Sequence, residues 1–109
     1  MERINILSEI PLNSEGKNIF KIRNENDLLL AVVHLKKGHS TPKHHANAKV
    51  SVLVFQGSIL SQINGETQKM NSGDIITLEK GTEMEFVNSD CDLTILLLIK
   101  SPNPGVSLK

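Results

Sequence analysis

Polar turn clusters divide this chain into short segments, and this division limits the possible folds more than any other feature. The clearest clusters lie at residues 24–27, 64–65, 71–74 and 79–81. Turns at about this spacing, 8–12 residues, are typical of an all-β sandwich or barrel. We find no helical periodicity longer than two turns. We therefore predict an all-β fold with strands at residues 18–23, 28–35, 50–55, 58–63, 66–70, 75–78, 83–87 and 92–100.

The middle of the chain carries the clearest strand and hairpin signals. Residues 50–55 are mostly apolar and β-branched, which predicts a strand that is covered on both faces. Asn64 and Gly65 lie between two strand candidates, and this pair favours a tight hairpin because both residues tolerate positive φ. The polar loop at residues 38–49 contains Pro42 and three histidines, and it holds most of the residues with plausible chemistry.

The length of 109 residues allows one hydrophobic core, so we predict a single domain. Residues 1–26 are predicted to be an N-terminal strand or arm that packs on the barrel or on a dimer partner. Within this arm, residues 1–18 are compatible with a short helix or an edge strand. Residues 27–100 are predicted to form the barrel, and residues 101–109 a loose C-terminal tail.

The composition favours a protein of a reducing, aqueous compartment. Cys91 is the single cysteine of the sequence, which excludes an intrachain disulfide. Residues 1–13 lack the apolar core of a signal peptide, and the apolar run at residues 95–99 is too short to span a bilayer. We therefore expect a cytoplasmic protein that has no membrane partner.

The charge and the aromatic content argue against nucleic acid as a partner. The formal net charge is zero, with 12 basic and 12 acidic residues, so the chain lacks the positive field that holds phosphates. All three aromatic residues are phenylalanines, and no tyrosine or tryptophan is available to stack on bases or sugars. A net charge near zero also opposes self-association only weakly.

The charges are unevenly distributed along the chain. Residues 36–49 contain four lysines, three histidines and no acid, whereas residues 79–85 contain three glutamates and one lysine. One interpretation is that two solvated loops form salt bridges with each other. The other is that a basic rim surrounds a pocket for an anionic ligand.

The order of these features resembles the cupin family of small jelly-roll β-barrels, over residues 27–100. Gly38, five residues and then His44 match the opening of the first cupin motif, and Gly57 matches its last position. In the second motif, three positions match at the right separations, namely Gly73, Gly81 and Asn88. The segment between the motifs holds the predicted hairpin. The resemblance implies a cupin-type jelly-roll barrel.

The residues that bind metal in most cupins are largely absent. The resemblance implies two histidines and a glutamate from the first motif and a histidine from the second. Here His44 retains the first histidine, but Ala46, Val50 and Met84 occupy the other three positions, and Glu79 replaces a motif proline. A transition metal generally needs three or more protein ligands. The pattern therefore argues against the usual metal site.

A rebuilt metal site is the alternative. A one-residue slip in the loop could turn His45 inward in place of Ala46, and His44, His45 and Met84 could then bind a divalent transition metal, or Cu(I) through the soft thioether. No such slip is available at Val50, because it would turn the whole apolar face of its strand outward. The simpler interpretation is that Met84 and Val50 fill the barrel.

Three functions follow, of which a metal-free barrel that binds a small molecule is favoured. We expect an apolar lumen with few polar anchors, lined by Val50, Val52, Val54, Met84 and Phe86. Residues near its ends would orient an anionic group. The candidate ligand-binding residues are Lys43, His44, His45, Lys49, Gln56, Met84 and Phe86.

The second function is a metal-dependent enzyme of the dioxygenase or isomerase type, for which no catalytic residue is predicted. The third is an interaction module with a solid barrel. Leu53 and Phe55 should lie on the outer face of their strand, and an apolar outer face needs cover, so we predict a homodimer.

Other reactive residues are predicted to be structural. His34 lies on an apolar strand, where a hydrogen-bonded or half-exposed histidine is expected. Cys91 lies between two aspartates, which should disfavour the thiolate and leave the thiol inert. No serine has a visible histidine-and-acid partner.

Overall fold

The computed structural model describes residues 3–104 and shows an all-β protein with one short helix. Nine strands form two antiparallel sheets, one with the order β1-β2-β9-β4-β7 and one with the order β3-β8-β5-β6. The elements are α1 (Ile6–Glu9), β1 (Lys17–Glu25), β2 (Leu28–Lys36), β3 (His44–His45), β4 (Val50–Gln56), β5 (Ser58–Ile63), β6 (Glu66–Asn71), β7 (Ile75–Leu78), β8 (Glu83–Val87) and β9 (Leu93–Lys100). This arrangement confirms the predicted fold class. Within residues 3–104, no helix is long and apolar enough to cross a membrane.

The alternation of side chains along the strands creates an inner and an outer face in the larger sheet. On β4, Val50, Val52 and Val54 are fully buried in the core between the two sheets. Leu53 is only partly buried and Phe55 is exposed. The prediction that β4 is covered on both faces is therefore wrong for its outer face.

The predicted hairpin between β5 and β6 is present. Ile63 pairs with Glu66, and the two residues between them have positive φ, 51° for Asn64 and 86° for Gly65. This conformation is the one that a two-residue turn of type I′ requires. The asparagine and the glycine thus determine the register of this pair of strands.

Gly57 allows the chain to turn from one sheet to the other. Its φ is +83°, and a Cβ atom there would lie 2.9 Å from Thr94 Oγ1 and 3.0 Å from the Leu93 carbonyl oxygen. Any other residue would therefore meet both strain and a clash with β9. This glycine closes the motif that was noted in the sequence.

The N-terminal segment packs on the outer face of the larger sheet of its own chain. Asn5 caps α1 by accepting hydrogen bonds from the backbone of Leu7 and Ser8. Ile10 is buried against Val32 and Ile95 on that face. The segment therefore contributes a second, smaller apolar cluster outside the barrel.

The chain after β9 is anchored as far as the structure describes it. Ser101 donates a hydrogen bond to the Asp27 carbonyl oxygen at 2.7 Å. Asn103 is almost fully buried and donates to Asn24 Oδ1 at 2.6 Å and to the Glu25 carbonyl oxygen at 2.9 Å. Residues 101–104 are therefore held against the β1–β2 turn and are not a loose tail, and residues 105–109 lie outside the described part of the chain.

Candidate functional site

A cavity of about 460 Å³ lies between the two sheets on one side of the molecule. β1, β2 and β9 form its floor, and β3, β8 and the loops around β3 form its cover. Most of the surface is apolar, from side chains that include Ala31, Val33, Met84, Phe86, Leu96 and Leu98. A volume in this range is typical of sites for small organic ligands.

The rim of the cavity is basic. Lys21 on β1 and Lys100 at the end of β9 line it, and the described residues 3–104 contribute no aspartate or glutamate to the lining. Lys100 Nζ donates a hydrogen bond to Asn47 Oδ1 at 2.9 Å. Burial, and then the positive charge of Lys21, lower the pKa of Lys100. The cavity therefore combines an apolar interior with two cations that lack an anionic partner in its lining.

His44 lies at the mouth of the cavity. It pairs with Met84 across β3 and β8, so the two residues occupy the same position on the smaller sheet. Its Nδ1 atom lies 2.8 Å from the Pro42 carbonyl oxygen. A carbonyl oxygen can only accept, so Nδ1 carries a proton and donates it, and this contact fixes the orientation of the ring.

The segment around His44 is held to the edge of β8 and is not the flexible loop that a slip would need. Thr41 N donates to the Phe86 carbonyl oxygen at 2.9 Å, and Phe86 N donates to Thr41 Oγ1 at 2.9 Å. Ala46 N donates to the Thr82 carbonyl oxygen at 2.8 Å. Ala46 is buried in the core while His45 is exposed. The slip that would bring His45 inward is therefore not present.

The structure places three of the seven predicted ligand-binding residues in the cavity lining, namely His44, Met84 and Phe86. The other four lie outside it. Lys43 and His45 are exposed neighbours of His44. Lys49 forms an exposed ion pair with Glu79 at 3.8 Å. This pair connects the basic segment to the acidic one, as the interpretation of two loops joined by salt bridges predicts. Gln56 is exposed at the far end of β4, beyond a bulge.

The predicted lumen is displaced from the observed cavity. Val50, Val52 and Val54 pack in the closed core and do not line the cavity, although Met84 and Phe86 do. The floor is instead formed by β1, β2 and β9. The prediction is therefore wrong for the three valines, because β4 lies under β5 and β6 and is covered by them.

The sequence reasoning missed Lys21, Asn47 and Lys100. The available signal was the alternation of inward residues, because Lys21 follows the inward Ile19 and Lys100 follows the inward Leu98 at a spacing of two. Pairing confirms this phase, since Ala31 is opposite both Lys21 and Leu98. A lysine at the end of an inward row is compatible with a polar rim on an apolar cavity.

The residues do not fit the divalent metal site that is usual in the cupin family, which the sequence resembles. Of the four positions, only His44 offers a nitrogen, and Val50 and Ala46 are buried apolar side chains. His45 follows His44 directly in β3 and pairs with Glu83, so it does not join His44 and Met84 on one face. Within the described residues, no group of three or more His, Cys, Asp or Glu could hold a metal ion.

Two other reactive residues differ from expectation. His34 is only 3% exposed and, among the described residues, its Nδ1 atom has no hydrogen-bond partner; burial lowers its pKa. The alternative of a half-exposed histidine is therefore wrong, and Nδ1 does not make the expected hydrogen bond. Hydrogen bonds from Ser58 lower the pKa of the Cys91 thiol and outweigh the opposing charge of Asp90. The negative charge of Asp90 does raise the pKa of the thiol, as expected, but this is only a minor contribution to the pKa.

Comparisons with solved structures identify many similar folds. An RmlC-like cupin family protein with a double-stranded β-helix fold from Methanocaldococcus jannaschii has a TM-score of 0.80 at 20% identity, over 95% of this chain and 96% of that one. An uncharacterized conserved protein with a double-stranded β-helix domain from Klebsiella pneumoniae has a TM-score of 0.84 at 18% identity. The match covers 94% of this chain and 91% of that one. A cupin superfamily protein from Desulfitobacterium hafniense has a TM-score of 0.79 at 12% identity. The match covers 93% of this chain and 92% of that one.

Sequence comparisons add nothing to this result. No family model matches the chain, and no curated protein matches it either. The structural likeness extends over nearly the whole chain and over nearly the whole of each similar protein. This protein therefore has the cupin fold, a double-stranded β-helix in a single domain.

Proposed function

We propose that this protein binds a small anionic molecule with an apolar body, without a bound divalent metal. The observation that carries the proposal is the pairing of Lys21 and Lys100 at the rim of an apolar cavity whose described lining contains no carboxylate. Lys100 is partly buried and Lys21 is exposed, and a partly desolvated cation needs an anion or several hydrogen bonds to offset the cost of burial. A ligand anion supplies the missing partner.

The apolar floor accounts for the body of the ligand. Ala31, Val33 and Leu96 come from the larger sheet, and Met84 and Phe86 come from the smaller one. Each methylene group that leaves water for such a surface contributes about 0.8 kcal/mol. An aliphatic or aromatic chain of moderate length is thus favoured over a compact inorganic anion.

The basic rim accounts for the charge of the ligand. The pKa of Lys100 is lowered by burial and by Lys21, so the protonated lysine is less stable there than in water. A carboxylate that lies between the two ammonium groups relieves both effects. Asn47, which already accepts a hydrogen bond from Lys100, keeps the lysine directed into the cavity.

A charge series with a constant apolar chain tests this proposal. Octanoate, octanol and octylamine are titrated into the protein, and binding is followed by amide NMR because the chain has no tryptophan or tyrosine for fluorescence. Octanoate is expected to bind at least tenfold more tightly than octanol, a difference of about 1.4 kcal/mol. Octylamine is expected to bind more weakly than octanol. Equal affinities for the three compounds, or shifts confined to β4 and β7, would contradict the proposal.

Matched lysine variants locate the charge effect. Lys100→Met is expected to weaken octanoate binding at least tenfold and to leave octanol binding unchanged, because only the charged headgroup loses a partner. Lys43→Met is the control, since Lys43 is exposed and lies outside the cavity. If Lys43→Met weakens octanoate binding as much as Lys100→Met does, the anion binds at the outer surface and the cavity is not the site.

Elemental analysis tests the metal-free part of the proposal. Protein purified without a histidine tag is expected to contain no transition metal in stoichiometric amount, because the donor set of the cavity is incomplete. Stoichiometric iron, manganese, copper, nickel or zinc that is lost in His44→Ala would support the metal-dependent alternative instead.

A further inference from the structure

We infer that Lys100 is a nucleophilic amine that forms a reversible imine with the carbonyl group of its ligand, and that the ligand class is a 2-oxo acid with an apolar side chain. The inference rests on the proposed function and refines it. Lys21 takes the carboxylate, Lys100 takes the adjacent carbonyl carbon, and the apolar floor takes the side chain.

The surroundings of Lys100 favour the neutral amine that such chemistry needs. Within the described residues the cavity has no carboxylate that could hold Lys100 as an ammonium ion, and Lys21 places a second positive charge on the same rim. Burial and this charge both lower the pKa of Lys100. A lysine that is desolvated beside another cation is the arrangement by which a protein makes an amine nucleophilic near neutral pH.

The hydrogen bond to Asn47 leaves the reactive electron pair free. Asn47 Oδ1 accepts from Lys100 Nζ at 2.9 Å, so the contact uses an N–H bond and not the nitrogen lone pair. The neutral amine keeps this contact and retains one lone pair that can be directed at a ligand. The same contact holds Nζ over the cavity, where its strand neighbour Leu98 contributes to the apolar floor.

The proposed step balances without an added oxidant or reductant. The lone pair of Lys100 Nζ attacks the carbonyl carbon, a C–N bond forms, and the carbonyl π electrons move to oxygen, which takes up a proton while nitrogen releases one. The C–O bond of this carbinolamine then breaks, oxygen leaves as water with a further proton from solvent, the nitrogen lone pair completes the C=N bond, and the resulting iminium nitrogen returns one proton to solvent. The overall change is one carbonyl and one amine converted to one imine and one water, and water reverses it.

Reductive trapping of the full-length protein tests the inference. The protein is incubated with α-ketoisocaproate and sodium cyanoborohydride, and the adduct is located by peptide mass mapping. Lys100 is expected to be modified at least tenfold faster than the average of the other lysines. Modification spread evenly over the surface lysines would overturn the inference. The hydroxy analogue, α-hydroxyisocaproate, has no carbonyl group and is expected to give no adduct while it slows trapping by competition.

A conservative variant tests the assignment of the nucleophile. Lys100→Arg keeps the positive charge but is not deprotonated in proteins, so it is expected to lose the trapped adduct entirely. Lys21→Met is expected to reduce trapping at least fivefold, because the carboxylate loses its partner. Lys43→Met is expected to leave trapping unchanged.

The outcomes are distinguishable. If octanoate binds in the cavity but α-ketoisocaproate yields no selective adduct, the imine inference fails and the proposed function stands. If neither compound binds, both fail. If the adduct forms equally well in Lys100→Arg, another lysine is the nucleophile and the assignment to Lys100 is wrong.

Discussion

β9 divides the sandwich into two halves that are filled differently. In one half, β4 and β7 face β5 and β6, and the space between them is closed by apolar side chains such as Val52, Ile59 and Met70. In the other half, β1 and β2 face β8 and the short β3, and a cavity remains. We refer to these as the packed half and the cavity half.

The length of the covering strands explains the difference. β5 and β6 have six residues each, whereas β3 has only two. β3 therefore cannot extend across the floor as far as β1, and the inner face of β1 stays partly open. The exposure of Ile19, an inward residue of β1, is 56%. The comparison shows that an incomplete cover, and not a widened barrel, creates the cavity.

The comparison predicts its largest effect for the truncation of core side chains, which lowers the free energy of unfolding by different amounts in the two halves. Ile59→Ala in the packed half creates a closed void and is expected to lower the free energy of unfolding by about 2–5 kcal/mol. Leu98→Ala in the cavity half is expected to cost about 1–2 kcal/mol, because its side chain already borders open space and mainly transfer energy is lost. Urea unfolding measures both. Equal losses would mean that the cavity half is as closed as the packed half.

The next effect concerns the outer face of the larger sheet. In the cavity half Ile10 covers Val32 and Ile95 there, although Phe20 of β1 is 39% exposed, whereas in the packed half Phe55 is 40% and Ile75 59% exposed. We propose that a second copy covers this patch, since a net charge of zero provides little repulsion between copies. The dissociation constant of the homodimer is expected to rise at least tenfold in Phe55→Glu/Ile75→Glu, about 1.4 kcal/mol, as measured by sedimentation velocity.

Leu7→Glu is the control for this prediction. Leu7 is an exposed apolar residue of α1 and belongs to neither β4 nor β7, and its replacement is expected to leave the oligomeric state unchanged. A wild-type protein that is monomeric at all accessible concentrations would refute the homodimer.

A smaller effect is the pH dependence that Lys100 gives to stability. Its pKa is lowered in the folded state, so between this lowered pKa and the unfolded value of about 10.4 the unfolded chain binds more protons. The free energy of unfolding should therefore rise with pH through this window. Lys100→Met should lose this rise and should be more stable than the wild type at neutral pH. Urea unfolding across pH 7–10, with Lys43→Met as control, measures the difference, and parallel curves would contradict it.

The smallest predicted effect comes from His34. Burial lowers its pKa from the model-peptide value of 6.5, so the unfolded chain takes up a proton first as the pH falls. Stability that is present above pH 6.5 should decline as the pH falls from there toward the lowered pKa of the folded state. His34→Leu is expected to show a shallower decline. Thermal unfolding at several pH values provides the comparison.

The strands of this protein could be predicted from sequence because local signals determine them. Residues 58–63, 75–78 and 83–87 were predicted with the observed bounds, and the other long strands within a few residues. The exception is β3, which was placed in a loop. Its two histidines pair with β8 across about 40 residues of chain, and no local pattern encodes such a contact.

The candidate site could be predicted only in part. Strand alternation predicts Met84 and Phe86 in the interior, the motif predicts His44 as a ligand-binding residue, and all three line the cavity. Lys21 and Lys100 were missed, because a lysine on a strand is most often solvated on the outer face. Only the pairing of β1, β2 and β9 shows that both lysines face inward on the same side of the molecule.

The sequence by itself determined the fold class, the hairpin and the apolar faces of the strands, because turn residues and side-chain alternation act over a few neighbouring positions. The tertiary structure alone decided which half of the sandwich is closed and which is open. That choice depends on how far one sheet extends over the other, and it brings together lysines that are 79 positions apart in the chain. Distance along the chain carries no information about such an encounter, so the cavity and its charge became visible only in the folded protein.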